Sequence, residues 1–196
     1  MEKLIFLTGD ISAHSLSHFQ KKFPSRFYNL GITEQGMVSI ASGLAMNNKK
    51  VFMFSMIPFI TMRCFEQVRL DLAYNNSNVK IVGVGAGLAY GPLGSSHHAL
   101  EDISIMRSLP NMTVLCPGDP IETKELIKQS YELDGPVYIR LGKNGEPKIH
   151  DDDKKIPLGK AIQITHGNDL VLITTSTMLE TGKKWVDEWN DETIKE

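Results

Sequence analysis

Hydrophobic positions along this chain follow two alternating patterns. The first is a short continuous run, β-branched or aromatic, closed by turn residues. Leu4-Ile5-Phe6-Leu7 ends at Thr8-Gly9-Asp10, and Val51-Phe52-Met53-Phe54 repeats the form. Val79 to Val84, Met112-Thr113-Val114-Leu115 (stopped by Pro117-Gly118) and Val137 to Leu141 complete a set that reads as buried strands. The second pattern is helical. Met37, Val38, Ile40, Ala41, Leu44 and Ala45 recur at helix spacing between Glu34 and Asn47, with Thr33 placed to cap. Met62, Phe65, Val68, Leu72 and Ala73 predict one helix over Phe59 to Tyr74. Asp119-Pro120 opens another, with proline at its first position and Ile121, Leu126 and Ile127 inside.

Strand and helix in alternation predict an α/β domain with a mostly parallel sheet flanked by helices. Right-handed crossovers then bring the strand C-termini to one rim, where such sheets bind ligands. The expected domain covers 1–146. Gly145, Pro147, three consecutive aspartates and Pro157 mark a linker over 147–158. Leu170-Val171-Leu172-Ile173 reads as a further strand and a helix is expected from about Thr177. One strand and one helix cannot bury their own faces, so 159–196 reads as the truncated start of a second α/β domain.

Composition narrows the class. The 196 residues carry 21 Lys+Arg and 23 Asp+Glu, a formal charge of −2, with 41% hydrophobic residues. That is an ordinary globular balance, with no basic run for nucleic acid. No apolar run approaches the roughly 18 residues of a membrane span, and the first ten residues reach Gly9-Asp10 too early for a signal peptide. Cys64 and Cys116 stand alone, without C-x-x-C spacing, and read as buried thiols in a reducing cytoplasm.

Three features carry candidate chemistry. Glu34 sits in the first turn of its helix, where a carboxylate complements the helix dipole whatever else it does. His97-His98 lies in a Gly/Ser loop. Only Glu101 and Asp102 stand nearby as further metal ligands, which disfavours a metal site. Arg107, Arg140 and Lys143 offer cations for an anionic group.

The order and spacing of six blocks add more. Arg26 to Ala45 reads RFYNLGITEQGMVSIASGLA, Pro58 to Asp71 PFITMRCFEQVRLD, Ser95 to Asp102 SSHHALED and Ile105 to Asp119 IMRSLPNMTVLCPGD. Gly135 to Arg140 (GPVYIR) and then Gly159-Lys160-Ala161 follow. Together they resemble the pyrimidine-binding domain of the transketolase family of thiamine-diphosphate enzymes, and then the start of that family's C-terminal domain. The resemblance implies that Glu34 bonds the cofactor's pyrimidine N1′, that Phe59 stacks on the pyrimidine with Phe54 as runner-up, and that Asp10 and Ile11 reach the cofactor from the first strand's end. It implies a catalytic and substrate-binding role for His97, with His98 where glutamine is usual, and places Arg107 and Arg140 near the substrate phosphate.

Departures from the family pattern carry equal weight. A second substrate histidine of the family falls at Gly85, and an aspartate falls at Leu93. No Gly-Asp-Gly occurs to hold Mg²⁺ and diphosphate; Gly9-Asp10-Ile11 and Gly118-Asp119-Pro120 do not substitute. The expectation is a split enzyme. A partner subunit with Gly-Asp-Gly supplies the diphosphate half, thiamine diphosphate lies in the interface, and the chains assemble as a dimer or α2β2. The expected reaction is two-carbon ketol transfer between sugars. The alternatives are a deoxyxylulose-phosphate-synthase-like or other 2-oxo-acid-using subunit, and a non-catalytic interaction subunit.

Overall fold

The structure is a computed structural model that describes residues 3–11 and 16–191. Its centre is a six-stranded sheet. The strands are β1 (Leu4–Thr8), β2 (Phe27–Asn29), β3 (Lys50–Met56), β4 (Val79–Val84), β5 (Thr113–Leu115) and β6 (Val137–Leu141). They lie in the order β2-β1-β3-β4-β6-β5, and every pairing is parallel. The helices are α1 (Ser17–Lys22), α2 (Glu34–Met46), α3 (Ile57–Ile60), α4 (Phe65–Gln67, running on as a π-helix over Val68–Tyr74), α5 (Asp102–Arg107), α6 (Pro120–Glu132) and α7 (Met178–Asp191).

The two-residue period of each strand sorts its side chains into two cores. Leu7, Val51, Met53, Ile81 and Tyr138 face α2 and α4, where they meet Met37, Val38, Ala41, Val68 and Leu72. Phe52, Phe54, Val82, Val137 and Ile139 face the other way, against Ile121 and Leu126 of α6. Burying both faces explains why these strands read as unbroken apolar runs. Lys80 interrupts the run in β4 yet is fully buried, because its ammonium donates to Asn78 Oδ1 (2.7 Å) and to the carbonyls of Leu133 and Gly135 (both 2.8 Å).

Several expectations change. Phe27–Asn29, which is not among the expected strands, is an edge strand beside β1, with Phe27 stacked on Phe6 (5.7 Å between centroids). The single helix expected over Phe59 to Tyr74 is broken. Pro58 opens α3, Thr61 Oγ1 donates back to the Ile57 carbonyl (2.6 Å), and a turn intervenes before α4. The π register of α4 leaves the Asp71 carbonyl to accept from the Ser42 and Ser77 hydroxyls, each at 2.8 Å. Thr33 precedes α2 but does not cap it; its hydroxyl donates to the Leu30 carbonyl. The run at Leu170 to Ile173 forms no strand. Strand backbone needs a paired neighbour, none lies beside it among the described residues, and Val171 and Ile173 stay exposed.

Asp119 does cap α6, accepting from Glu122 N–H at 2.7 Å. Its other oxygen accepts the N–H groups of Ile149 (3.0 Å) and His150 (2.8 Å). The segment after β6 is thereby tied to α6, and Ile156 is buried in the second core.

Candidate active site

In this strand order the chain runs outward from β1 to β2 on one side and from β3 to β4 on the other. The C-terminal ends of β1 and β3 therefore frame the topological switch point, the crevice where such sheets take ligands. Gly9 closes β1 and Ser55 lies near the end of β3. Glu34, the first residue of α2, sits over that crevice with 3% of its surface exposed. Ser55 Oγ donates to Glu34 Oε1 at 3.2 Å, and Arg63 Nη1 donates to Oε2 at 3.0 Å. A Cβ on Gly9 would fall 3.5 Å from the Glu34 side chain, so the strand end passes in close contact with the carboxylate. A buried carboxylate is costly without partners, and here one cation and one hydroxyl hold it.

From Glu34 a line of side chains runs along the rim. The Arg63 guanidinium lies over the Phe59 ring, 4.1 Å from its centroid. Phe59 meets His97 edge-on at 5.1 Å, and His97 meets Tyr90 edge-on at 6.2 Å. Lys143 Nζ stands 5.2 Å from the Tyr90 centroid. Ser96 Oγ stands 3.0 Å from His97 Nδ1. The fold thus gathers Glu34, Phe59 and His97, which are far apart in sequence. It adds Arg63 and Tyr90, which reading the sequence missed. For Arg63 a clue existed in its four-residue spacing from Phe59. Tyr90 had none, since its contacts cross a loop.

Strand parity separates the two candidate aromatics. Ser55 shares the α2 face with Val51 and Met53. Phe54 points to the opposite core, beside Phe6 (6.5 Å), and cannot reach the crevice above α2. Phe59 is half-buried and on the line.

The other candidates lie off that line. Asp10, at φ +59°, lies at the rim, where Asn29 Nδ2 donates to its Oδ1 (2.9 Å) and its own N–H donates to Asn29 Oδ1 (3.0 Å). Ile11 packs on the second core. Arg107 is exposed at the end of α5 and lines a hollow of about 420 Å³ with Cys116 and Thr175. That hollow is on the β5 edge, three strands from β3 and so roughly 14 Å across the sheet.

Arg140, expected at a substrate phosphate, has its nitrogens already committed. Nε donates to Asp102 Oδ2 (2.8 Å), Nη1 to Ser176 Oγ (2.9 Å) and Nη2 to the Ala99 carbonyl (3.0 Å). Asp102 is fully buried and also accepts the Tyr138 hydroxyl at 2.6 Å. Ala99 pairs with Gly87 in a short antiparallel bridge. Arg140 therefore clamps the loop that carries His97. Burial pushes the thiols of Cys64 and Cys116 up to about 12 and about 11, which leaves both protonated and unreactive at neutral pH. Among the described residues no three His, Cys, Asp or Glu side chains converge on a metal position, and no helix is long and apolar enough to cross a membrane.

Residues 1–147 match the transketolase pyrimidine-binding domain. The chain belongs to the transketolase family. Transketolase relatives include an apulose-4-phosphate transketolase subunit of Phocaeicola vulgatus, 42% identical over 81% of this chain and 51% of that one. The 6-deoxy-6-sulfo-D-fructose transketolase subunit SqwH of a Clostridium species is 35% identical over 91% of this chain and 56% of that one. This chain thus spans about half the length of the curated transketolase relatives it matches. A split-gene transketolase, solved as an inactive beta4 tetramer, superposes with a TM-score of 0.83 at 36% identity, covering 96% of this chain and 62% of that one.

Proposed function

We propose that this chain is the pyrimidine-binding subunit of a split transketolase-type enzyme that moves a two-carbon ketol unit between sugars. The observation that carries the reading is the buried Glu34 carboxylate at the switch-point crevice, in line with an aromatic ring and an imidazole. These residues fit thiamine diphosphate. Glu34 is a hydrogen-bond acceptor for the pyrimidine N1′, the half-buried Phe59 offers a face for its ring, and Asp10 stands at the crevice mouth. The cofactor, when bound, supplies carbanion stabilisation at the donor carbonyl.

This chain's own residues do the rest. Glu34 holds a proton at N1′ and is kept in place by Ser55 and Arg63. His97, between two aromatic edges, is the group for a substrate hydroxyl proton. Lys143, at the far end of the line, suits an anionic terminus. No Gly-Asp-Gly is present in the sequence. A partner chain with that motif would hold Mg²⁺ and diphosphate, with the cofactor in the interface of a dimer or α2β2 assembly. A reaction on phosphorylated sugars places the assembly in the cytoplasm.

Loop 85–94 favours one second reading. It carries neither histidine nor carboxylate. A 2-oxo-acid donor, which needs fewer hydroxyl contacts than a ketose phosphate, fits that loop.

The test is to co-purify the chain with its Gly-Asp-Gly-bearing partner and follow ketol transfer. Glu34→Gln and Glu34→Ala should each lose more than tenfold in kcat, at least about 1.4 kcal/mol of barrier, without unfolding the chain. Release of CO₂ during turnover would move the assignment to the 2-oxo-acid reading. A complex with full activity in both Glu34 variants would end both.

A further inference from the structure

Loop 85–94 reads GAGLAYGPLG, and its one hydrogen-bonding side chain is Tyr90. The loop is built around that ring. Gly85 sits at φ +95°, its N–H donates to the carbonyls of Leu141 and Gly142 (both 3.1 Å), and a Cβ there would collide with the Tyr90 ring. The ring therefore fills the space that any side chain at position 85 would occupy. Its edge meets His97, and Lys143 stands near its face. Burial raises the phenol above its ordinary value, so its hydroxyl stays protonated and neutral.

A substrate lying along the rim, from the crevice past His97 toward Lys143, must pass this ring. Away from the Tyr90 hydroxyl and the Lys143 ammonium, a wall of aromatic ring, glycine, alanine and leucine accepts C–H groups and offers a sugar hydroxyl no side-chain partner. A sugar hydroxyl turned toward it would lose water without gaining a partner. Resting on the ketol-transfer reading above, we propose that Tyr90 is the specificity-determining residue of this site. Its ring selects an aldose phosphate acceptor that turns a C–H face, as a deoxy sugar does, toward that ring.

The experiment uses the complex of this chain with its Gly-Asp-Gly-bearing partner. The probes are D-ribose 5-phosphate and the series of analogues that each lack one hydroxyl. In the wild-type complex at least one deoxy analogue should exceed the parent in kcat/KM by threefold or more. Tyr90→Ala should erase that preference, while Tyr90→Phe should keep it within twofold. Tyr90→Leu retains an apolar wall, guards against a loop that fails to fold, and should keep most of the preference. The proposal is overturned if no deoxy analogue is favoured. It is equally overturned if Tyr90→Ala slows all acceptors by one common factor, or if Tyr90→Phe behaves as Tyr90→Ala, which assigns discrimination to the hydroxyl. A wild-type complex that transfers ketol to no acceptor instead defeats the functional reading itself, and this proposal with it.

Discussion

Arg140→Met is the perturbation that most sharply separates a clamp from a phosphate ligand. The guanidinium makes hydrogen bonds to Asp102, Ser176 and the Ala99 carbonyl, and only 7% of its surface is exposed. Its removal leaves the Asp102 carboxylate, fully buried, with the Tyr138 hydroxyl alone. Breaking a buried ion pair by deleting one partner costs about 3–5 kcal/mol, because the remaining charge is left in low dielectric. In a chain of this size that is a loss of roughly 6–20 °C in Tm. Urea unfolding of the full chain, followed by circular dichroism at neutral pH, measures it. Pairing Arg140→Met with Asp102→Asn should recover more than about 1 kcal/mol, since the carboxamide still accepts from Tyr138 and carries no charge. A loss under about 1 kcal/mol for Arg140→Met, or strict additivity with Asp102→Asn, would refute the clamp. A variant that folds normally but has a raised KM for phosphorylated sugars would restore the ligand role.

Three further outcomes follow from the same structure. Arg63→Ala removes the charged hydrogen bond to Glu34 and the cation over Phe59; it should cost about 1.5–3 kcal/mol in cofactor binding to the assembled complex, read by titration, while Arg63→Lys recovers part. Burial, reinforced by the charge of Lys50 and opposed by Asp134, lowers the Lys80 ammonium to about 8. The unfolded lysine titrates near about 10.4, so between these values the unfolded chain binds more protons and stability should rise with pH; Lys80→Met should flatten that rise in urea melts. Asp119→Ala removes the cap of α6 and the acceptor for the Ile149 and His150 N–H groups, which should cost about 2 kcal/mol and lower Tm by about 4–8 °C in a thermal melt.

What could be read from residues alone depended on how local the cause was. Val79 to Val84 announced a doubly buried strand by composition, and Asp119-Pro120 announced a helix start by turn chemistry; both stand. Phe27–Asn29 could not be read, because three residues become a strand only when β1 supplies the partner. The break at Thr61 and the π register of α4 come from side-chain bonds to backbone that periodicity does not register. Glu34, Phe59 and His97, which the fold brings into one line, were named as candidates from their motifs. Phe54 and Phe59 could be told apart only once the face of β3 was known, by counting from Ser55. Arg140 looks in sequence like any cation near a rim, and only burial beside Asp102 assigns it to the loop. Tyr90 was invisible because its partners, Gly85 and Lys143, meet it across a fold of the chain.

The central claim is that Glu34 serves half of a shared thiamine-diphosphate site. Calorimetric titration of thiamine diphosphate with Mg²⁺ into this chain alone, the Gly-Asp-Gly-bearing partner alone, and the two together tests it most directly. The account predicts saturable binding by the pair, one cofactor per pair of chains, and none by this chain alone. Binding by this chain alone as tight as by the pair, or no binding by the pair, would contradict it.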